Sequence, residues 1–198
     1  RFQISEIKNK LSIKDDEKII ITASRLVKKN AVADVIKSLE YLPLNVKFLI
    51  LGDGLDRKNL ESLAEQLNLS NRIIFFGAYD NNALPQYLAL ADVFVRPSLS
   101  EGQGIAFLEA MAAGVPVIAT PVGGIVDFLR DGETGLFCEV RNPESIAEKI
   151  KILLDNKELA ETIKINAREL VVKNYDWNLI AARMKNIFEK IVCHCGRG

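Results

Sequence analysis

The chain has 198 residues, 48% of them hydrophobic, which is enough for one large domain or for a domain with an appendage. Its 26 basic and 26 acidic residues cancel to a formal net charge of zero, and this argues against a nucleic-acid surface, which carries a basic excess. No apolar run approaches the roughly 18 residues that span a bilayer, the N-terminal RFQISEIKNK lacks a signal peptide's apolar core, and the three cysteines are too few and too badly spaced for a disulfide framework. A reducing cytoplasm is the expected setting.

Short apolar runs alternate with amphipathic segments along the chain. Strands are expected at Ile19 to Ala23, Val46 to Leu51, Ile73 to Phe76, Val93 to Val95 and Pro116 to Ala119, with GLFC, Gly135 to Cys138, a weaker sixth. Helical patterns fall between them at Val32 to Tyr41, Asp56 to Leu67, Ala83 to Leu90, Ile105 to Ala113 and Ile125 to Leu129. Continuous apolar strands, each followed by a helix, predict an α/β fold with a doubly wound parallel sheet, buried on both faces. Gly114, ahead of Val115 and Pro116, reads as a helix stop. From Asn142 the pattern turns wholly helical: Asn142 suits an N-cap, Pro143 the first helical position, and further helices are expected over Lys157 to Val172 and Trp177 to Val192. A single domain follows, with a sheet region over about 18–140 and a C-terminal helical tail over about 143–192.

Chemistry concentrates in SEGQGIAFLEAMAA, Ser100 to Ala113. Ligands of open parallel sheets sit at the carboxyl ends of the strands, where strand order reverses. A helix starting near Gly104 would turn unpaired N–H groups and its positive end toward an anion such as a pyrophosphate, and Gly102 and Gly104 would let the backbone approach it closely. Glu101 precedes that helix start. Glu109 lies about five residues into the helix, roughly 7–8 Å further along. Two carboxylates flanking an anion site suit a molecule with hydroxyls at both ends and phosphates between, which is the form of a nucleotide-sugar.

The run EGQGIAFLEAMAAGVPVIATPVGGIVDFLRDGETGLF resembles the signature of retaining GT-B glycosyltransferases of the large family 4, and ASRLVKKN, LILGDG, IIFFGAY and YLALADVFVRPS extend the likeness over about residues 18 to 150. The resemblance implies a Rossmann-like, C-terminal donor-binding domain. It implies that Glu101 binds sugar hydroxyls and Glu109 the donor ribose, and that Arg25 with a following lysine holds the diphosphate. The family's usual lysine position is Asn30 in this chain, so Lys29, with Lys28 behind it, is the substitute. The family's backbone contacts to the nucleobase map onto Gly77, Ala78 and Tyr79; Tyr79 suits packing equally well. Gln103 stands where the family usually has an aromatic residue, and the N–H groups of Gln103, Gly104 and Ile105 would still face the donor. Thr120, Gly123 and Gly124 in TPVGG lie on the same rim, the glycine pair fitting either a second helix-terminus site or a plain turn. Gly52-Asp53-Gly54 lacks the third glycine of a dinucleotide fingerprint and reads as a tight turn.

The resemblance further implies no obligate metal or other cofactor, with a UDP, GDP or ADP sugar as substrate. Cys193, His194 and Cys195 supply at most three of the four ligands of a structural zinc site, and His194 is the sole histidine, which leaves no Ser-His-Asp or Cys-His arrangement. The partner implied is an N-terminal, acceptor-binding GT-B domain, absent from this sequence and met in cis or in trans through NYDW and the last helix. Without it the chain is expected to bind donor and transfer little. The protein is expected in the cytoplasm, or peripheral at a membrane through the absent domain. Rival readings are a non-catalytic nucleotide-sugar-binding module and a GT-B sugar epimerase domain, whose signatures are not found.

Overall fold

Six parallel strands form one sheet: β1 (Lys18–Ala23), β2 (Val46–Leu51), β3 (Ile73–Gly77), β4 (Val93–Arg96), β5 (Val117–Ala119) and β6 (Leu136–Phe137). Their order is β3-β2-β1-β4-β5-β6, so the sheet grows outward in both directions from the β1/β4 pair. The structure, a computed structural model, describes residues 4–195, the side chains of residues 192–195 excepted. The cysteines and histidine near the C-terminus therefore lie outside the described side chains.

Alternation along each strand divides the core. Ile20, Phe48, Ile50, Val93 and Val95 face one layer, made by α2 (Val32–Ser38), α3 (Arg57–Gln66) and α6 (Pro143–Asp155). Ile19, Ile21, Leu49, Leu51 and Phe94 face the other, made by α4 (Leu84–Leu88), α5 (Ile105–Ala112) and part of α7 (Lys157–Asn174). Burial on both faces is the reason these strands read as unbroken apolar runs. The expected helical tail proves mostly integral. Ile146, Ile150 and Ile163 fill the first layer, and α7 continues into the second through Ala167 and Val171. Of the helices in this tail, only α8 (Trp177–Cys195) stands away from the core.

Local signals act where the sequence places them. Asn142 accepts the Ser145 amide at 3.0 Å, capping α6. Gly114 takes φ +74, and the amides of Gly114 and Val115 close onto the carbonyls of Met111 and Ala110, the paired bonds of a Schellman stop. Two elements differ from expectation. The helix expected over Ile125 to Leu129 is a 3-10 turn over Gly123–Asp127, entered through Gly123 at φ +55. A short helix, α1 (Ile4–Lys10), was not anticipated, because it buries no residue and shows no apolar period.

Candidate functional site

The β1/β4 reversal makes a crevice at the strands' carboxyl ends. Two loops border it, and each is held by its backbone. The loop after β1 rests on the one after β2: Leu26 donates to the Asp53 carbonyl at 2.9 Å and Asp56 to the Leu26 carbonyl at 3.0 Å. A Cβ at Gly52, which sits at φ +125, would lie 1.9 Å from the Ser24 carbonyl oxygen, and one at Gly54 would lie 2.3 Å from that of Leu26. The turn read at Gly52-Asp53-Gly54 is thus also the seat of the Arg25 loop. Asn30 is buried and donates its side-chain amide to the Arg25 carbonyl at 2.7 Å, while Leu99 donates to the Lys29 carbonyl at 2.7 Å and joins this loop to the one after β4.

The second loop carries Glu101. Arg96, the last residue of β4, is buried against the ring of Phe107, 4.3 Å from its centroid. Its guanidinium donates to the Ala23 carbonyl at 3.1 Å and pairs with Glu101 Oε2 at 2.8 Å, their side chains 7% and 14% exposed. Burial pulls the Arg96 guanidinium below its ordinary value, and the Glu101 charge opposes that pull. The Ser98 hydroxyl reaches the same Oε2 at 3.4 Å, and the buried Thr120 hydroxyl donates to the Ser98 carbonyl.

Gly123 and Gly124 lie under this loop. The Gly124 amide donates to the Gly102 carbonyl at 3.0 Å, and a Cβ at Gly123 would lie 1.9 Å from the Glu101 carbonyl oxygen. This close backbone seating is a third role for the glycine pair, besides the helix-terminus site and the plain turn offered by the sequence. Gly123→Ala is expected to lower stability by about 1–3 kcal/mol, the range for forcing atoms into packed space. Urea denaturation showing wild-type stability would mean that the loop simply moves aside.

At the start of α5, Gly104 is buried at φ +69, and the amides of Gln103, Gly104 and Ile105 meet no backbone carbonyl among the described residues. Arg25, Val27, Lys29, Asn30, Arg96 and Glu101 line one open cleft of about 570 Å³, with Lys28 outside the lining. Glu109 lines a different groove, with Gln103 and Ile105 and with Tyr175 and Trp177 on the α7–α8 side. It has no hydrogen-bond or ion-pair partner among the described residues. Its side chain is exposed along one flank, and the packed protein behind raises its carboxyl above the ordinary value by desolvation. Tyr79 is half-buried in the second core layer; burial raises its phenol, the Glu109 charge adds to this and Arg96 opposes it. Gly77, at φ +90, accepts the Gly52 amide, and Ala78 beside it is exposed.

Sequence reasoning missed Arg96. The available signal was a charge ending an otherwise apolar strand, VFVR, directly before Pro97.

Residues 3–170 match the model of the family described as glycosyl transferases group 1. The chain belongs to that family. Relatives include the N-acetyl-alpha-D-glucosaminyl L-malate synthase of Bacillus anthracis, 32% identical over 191 residues that cover 96% of this chain and 50% of the relative. The GDP-mannose-dependent alpha-(1-6)-phosphatidylinositol monomannoside mannosyltransferase of Mycobacterium tuberculosis is 31% identical over 175 residues, 83% of this chain and 46% of the relative. Among solved structures, HepE of Anabaena in complex with UDP and glucose shares the fold, with a TM-score of 0.89 at 24% identity over 94% of this chain and 52% of that one. This group 1 glycosyl transferase chain thus spans about half the length of the relatives it matches. Its six-stranded parallel sheet is the Rossmann-like C-terminal fold of GT-B enzymes.

Proposed function

We propose that this chain is the donor-binding half of a retaining glycosyltransferase and takes a nucleotide-sugar in the β1/β4 crevice. The observation that carries the reading is the cleft's charge. Arg25, Lys29 and Arg96 stand against Glu101, three cations to one carboxylate, and the loop that carries Glu101 leads into three helix-start amides with no carbonyl partner among the described residues. That surplus matches the two charges of a diphosphate diester, and backbone amides at a helix start suit its oxygens.

In this reading Arg25 and Lys29 hold the diphosphate with the amides of Gln103, Gly104 and Ile105. Glu101 accepts the sugar's hydroxyls, and Glu109 accepts those of the ribose. Gly77, Ala78 and Tyr79 border the nucleobase. Thr120, Gly123 and Gly124 serve the donor indirectly, by holding the Ser98–Gly102 segment in place. When the bond between the anomeric carbon and the phosphate oxygen breaks, its electron pair stays on that oxygen. The guanidinium, the ammonium and the helix amides stabilise the developing charge. The acceptor hydroxyl attacks the anomeric carbon from the same face and gives its proton to the departing phosphate oxygen, and no protein nucleophile is assigned.

The acceptor side belongs to the remainder of a longer protein, in cis or in trans. Trp177 is 75% exposed, and Met184, Ile187, Phe188 and Ile191 continue an uncovered apolar stripe along α8, positioned for that second domain. We propose the cytoplasm as the site of the reaction, the reducing setting that three scattered cysteines suggest. Separately, no helix among the described residues is long and apolar enough to cross a membrane.

A thermal-shift panel of UDP, GDP and ADP sugars tests the reading, since a ligand that binds only the folded state raises its stability by mass action. No shift with any of them at millimolar concentration would sink it. Glu109→Ala is expected to weaken nucleoside diphosphate and intact donor alike, by about 1.5 kcal/mol or roughly tenfold, because the ribose is common to both. Since desolvation raises the Glu109 carboxyl, its hydroxyl-accepting, ionised form is lost early as pH falls. Wild-type affinity is expected to weaken as pH drops into the upper carboxylate range, and Glu109→Ala to lack that component. Calorimetry across pH checks both expectations, and a variant with wild-type affinity for the diphosphate removes Glu109 from the site.

A further inference from the structure

We propose that Arg96 is a positioning and charge-compensating residue for Glu101; for what Glu101 binds, this rests on the reading above. Arg96 is not an ordinary cleft cation. Its side chain is buried, lies on the Phe107 ring and is divided between the Ala23 carbonyl and Glu101 Oε2. A guanidinium fork held at two points and stacked on a ring cannot swing toward a ligand as Arg25 can. Buried ion pairs of this kind contribute little net stability over an apolar pair, because desolvation offsets their attraction. Their effect is to fix geometry.

Here the geometry fixed is that of a carboxylate. Both Arg96 and the Ser98 hydroxyl converge on Oε2, and Oε1 has no partner among the described residues. The free oxygen is thus directed by the occupied one, and Glu101 presents an acceptor in a set orientation. The pairing also removes an electrostatic conflict. Glu101 shares its cleft with Arg25 and Lys29, where a dianion is expected, and a bare carboxylate there would repel the phosphates. At a separation of about 8 Å and an effective dielectric constant of about 20, that repulsion amounts to a tenfold or larger loss of affinity. With Arg96 in place the pair is neutral, and acceptor and anion coexist.

The test is a double-mutant cycle on this chain, read by calorimetry with UDP, GDP and ADP and with their sugars. Arg96→Met uncovers the Glu101 charge and is expected to weaken the nucleoside diphosphate about tenfold or more. Adding Glu101→Gln removes that charge and is expected to restore the affinity to within about threefold of wild type. A purely structural role, or direct contact between Arg96 and the phosphates, predicts no rescue, and a double variant as weak as Arg96→Met overturns the proposal. Arg96→Lys guards against misfolding. It keeps the charge and loses the fork, so it is expected to bind the nucleoside diphosphate normally and the intact donor at least about tenfold more weakly. Normal donor binding by that variant overturns the positioning role. The sugar reading of Glu101 fails separately: Glu101→Gln alone would then change diphosphate and donor affinity by the same factor, whatever the Arg96 variants do.

Discussion

Glu101→Ala is expected to lower folding stability by about 3 kcal/mol, measured by urea denaturation without ligand. Truncating the carboxylate leaves the Arg96 guanidinium buried with its Ala23 bond and its place on Phe107, but with no counter-charge. Breaking one partner of a buried pair costs about 3–5 kcal/mol. Glu101 is 14% exposed, so water can enter where its side chain was, which argues for the lower end. Glu101→Gln keeps an oxygen that can accept from Arg96, and it is expected to cost only about 1 kcal/mol. The alanine variant therefore mixes a folding effect with a ligand effect, and the glutamine variant separates them. On the proposed reading Glu101→Gln leaves the Arg96 charge uncovered beside the anion, so it holds the nucleoside diphosphate at least as tightly as wild type, and it weakens the nucleotide-sugar relative to the diphosphate. Equal stability of the alanine variant and wild type would show that the Arg96–Glu101 pair contributes nothing to the fold.

That dual role shows where the sequence is legible and where it is not. The strands were readable because both faces of the sheet are covered, which forces runs such as Val46–Leu51 to be apolar throughout; that strand has the expected bounds at both ends. Glu101 and Glu109 stand out as candidates from their spacing around a glycine-broken helix start, though the structure sets them in different grooves. Arg96 was not, because its meaning depends on the Ala23 carbonyl of a neighbouring strand and on a ring one turn into α5. The glycines divide the same way. Gly114 acts within its own helix and could be read locally. Gly52 and Gly54 are required by carbonyls of Ser24 and Leu26, and Gly123 by that of Glu101; all are brought there by tertiary packing. The apolar pattern over Ile125 to Leu129 predicted an α-helix because it carries no sign of the contact that fixes Gly123, at φ +55, where the 3-10 turn begins. The sequence prefers Lys29 to Lys28 only by its place in a motif; that Lys29 lines the cleft is a matter of the loop's course, pinned by Asn30 and Leu99.

Arg25→Ala is expected to have the largest effect on ligand binding with almost none on the fold. The Arg25 side chain is exposed at the cleft and makes no hydrogen bond or ion pair with another described residue, while its backbone is fixed through Asn30 and the Leu26–Asp53 bond. Truncation removes nothing the folded chain uses, so stability should stay within about 0.5 kcal/mol of wild type. A guanidinium on a diphosphate makes charge-assisted, often two-pronged bonds, and losing them should cost about 3 kcal/mol, somewhat more than a hundredfold in affinity. The loss should appear for nucleoside diphosphate and nucleotide-sugar, and be absent for the free nucleoside. It should also shrink as salt is raised, because screening already weakens the wild-type contact. Lysine at position 25 should recover part of the affinity, restoring the point charge without the fork. Equal losses for nucleoside and diphosphate, or an alanine variant that melts well below wild type, would show that Arg25 supports the β1 loop and that the diphosphate is held elsewhere.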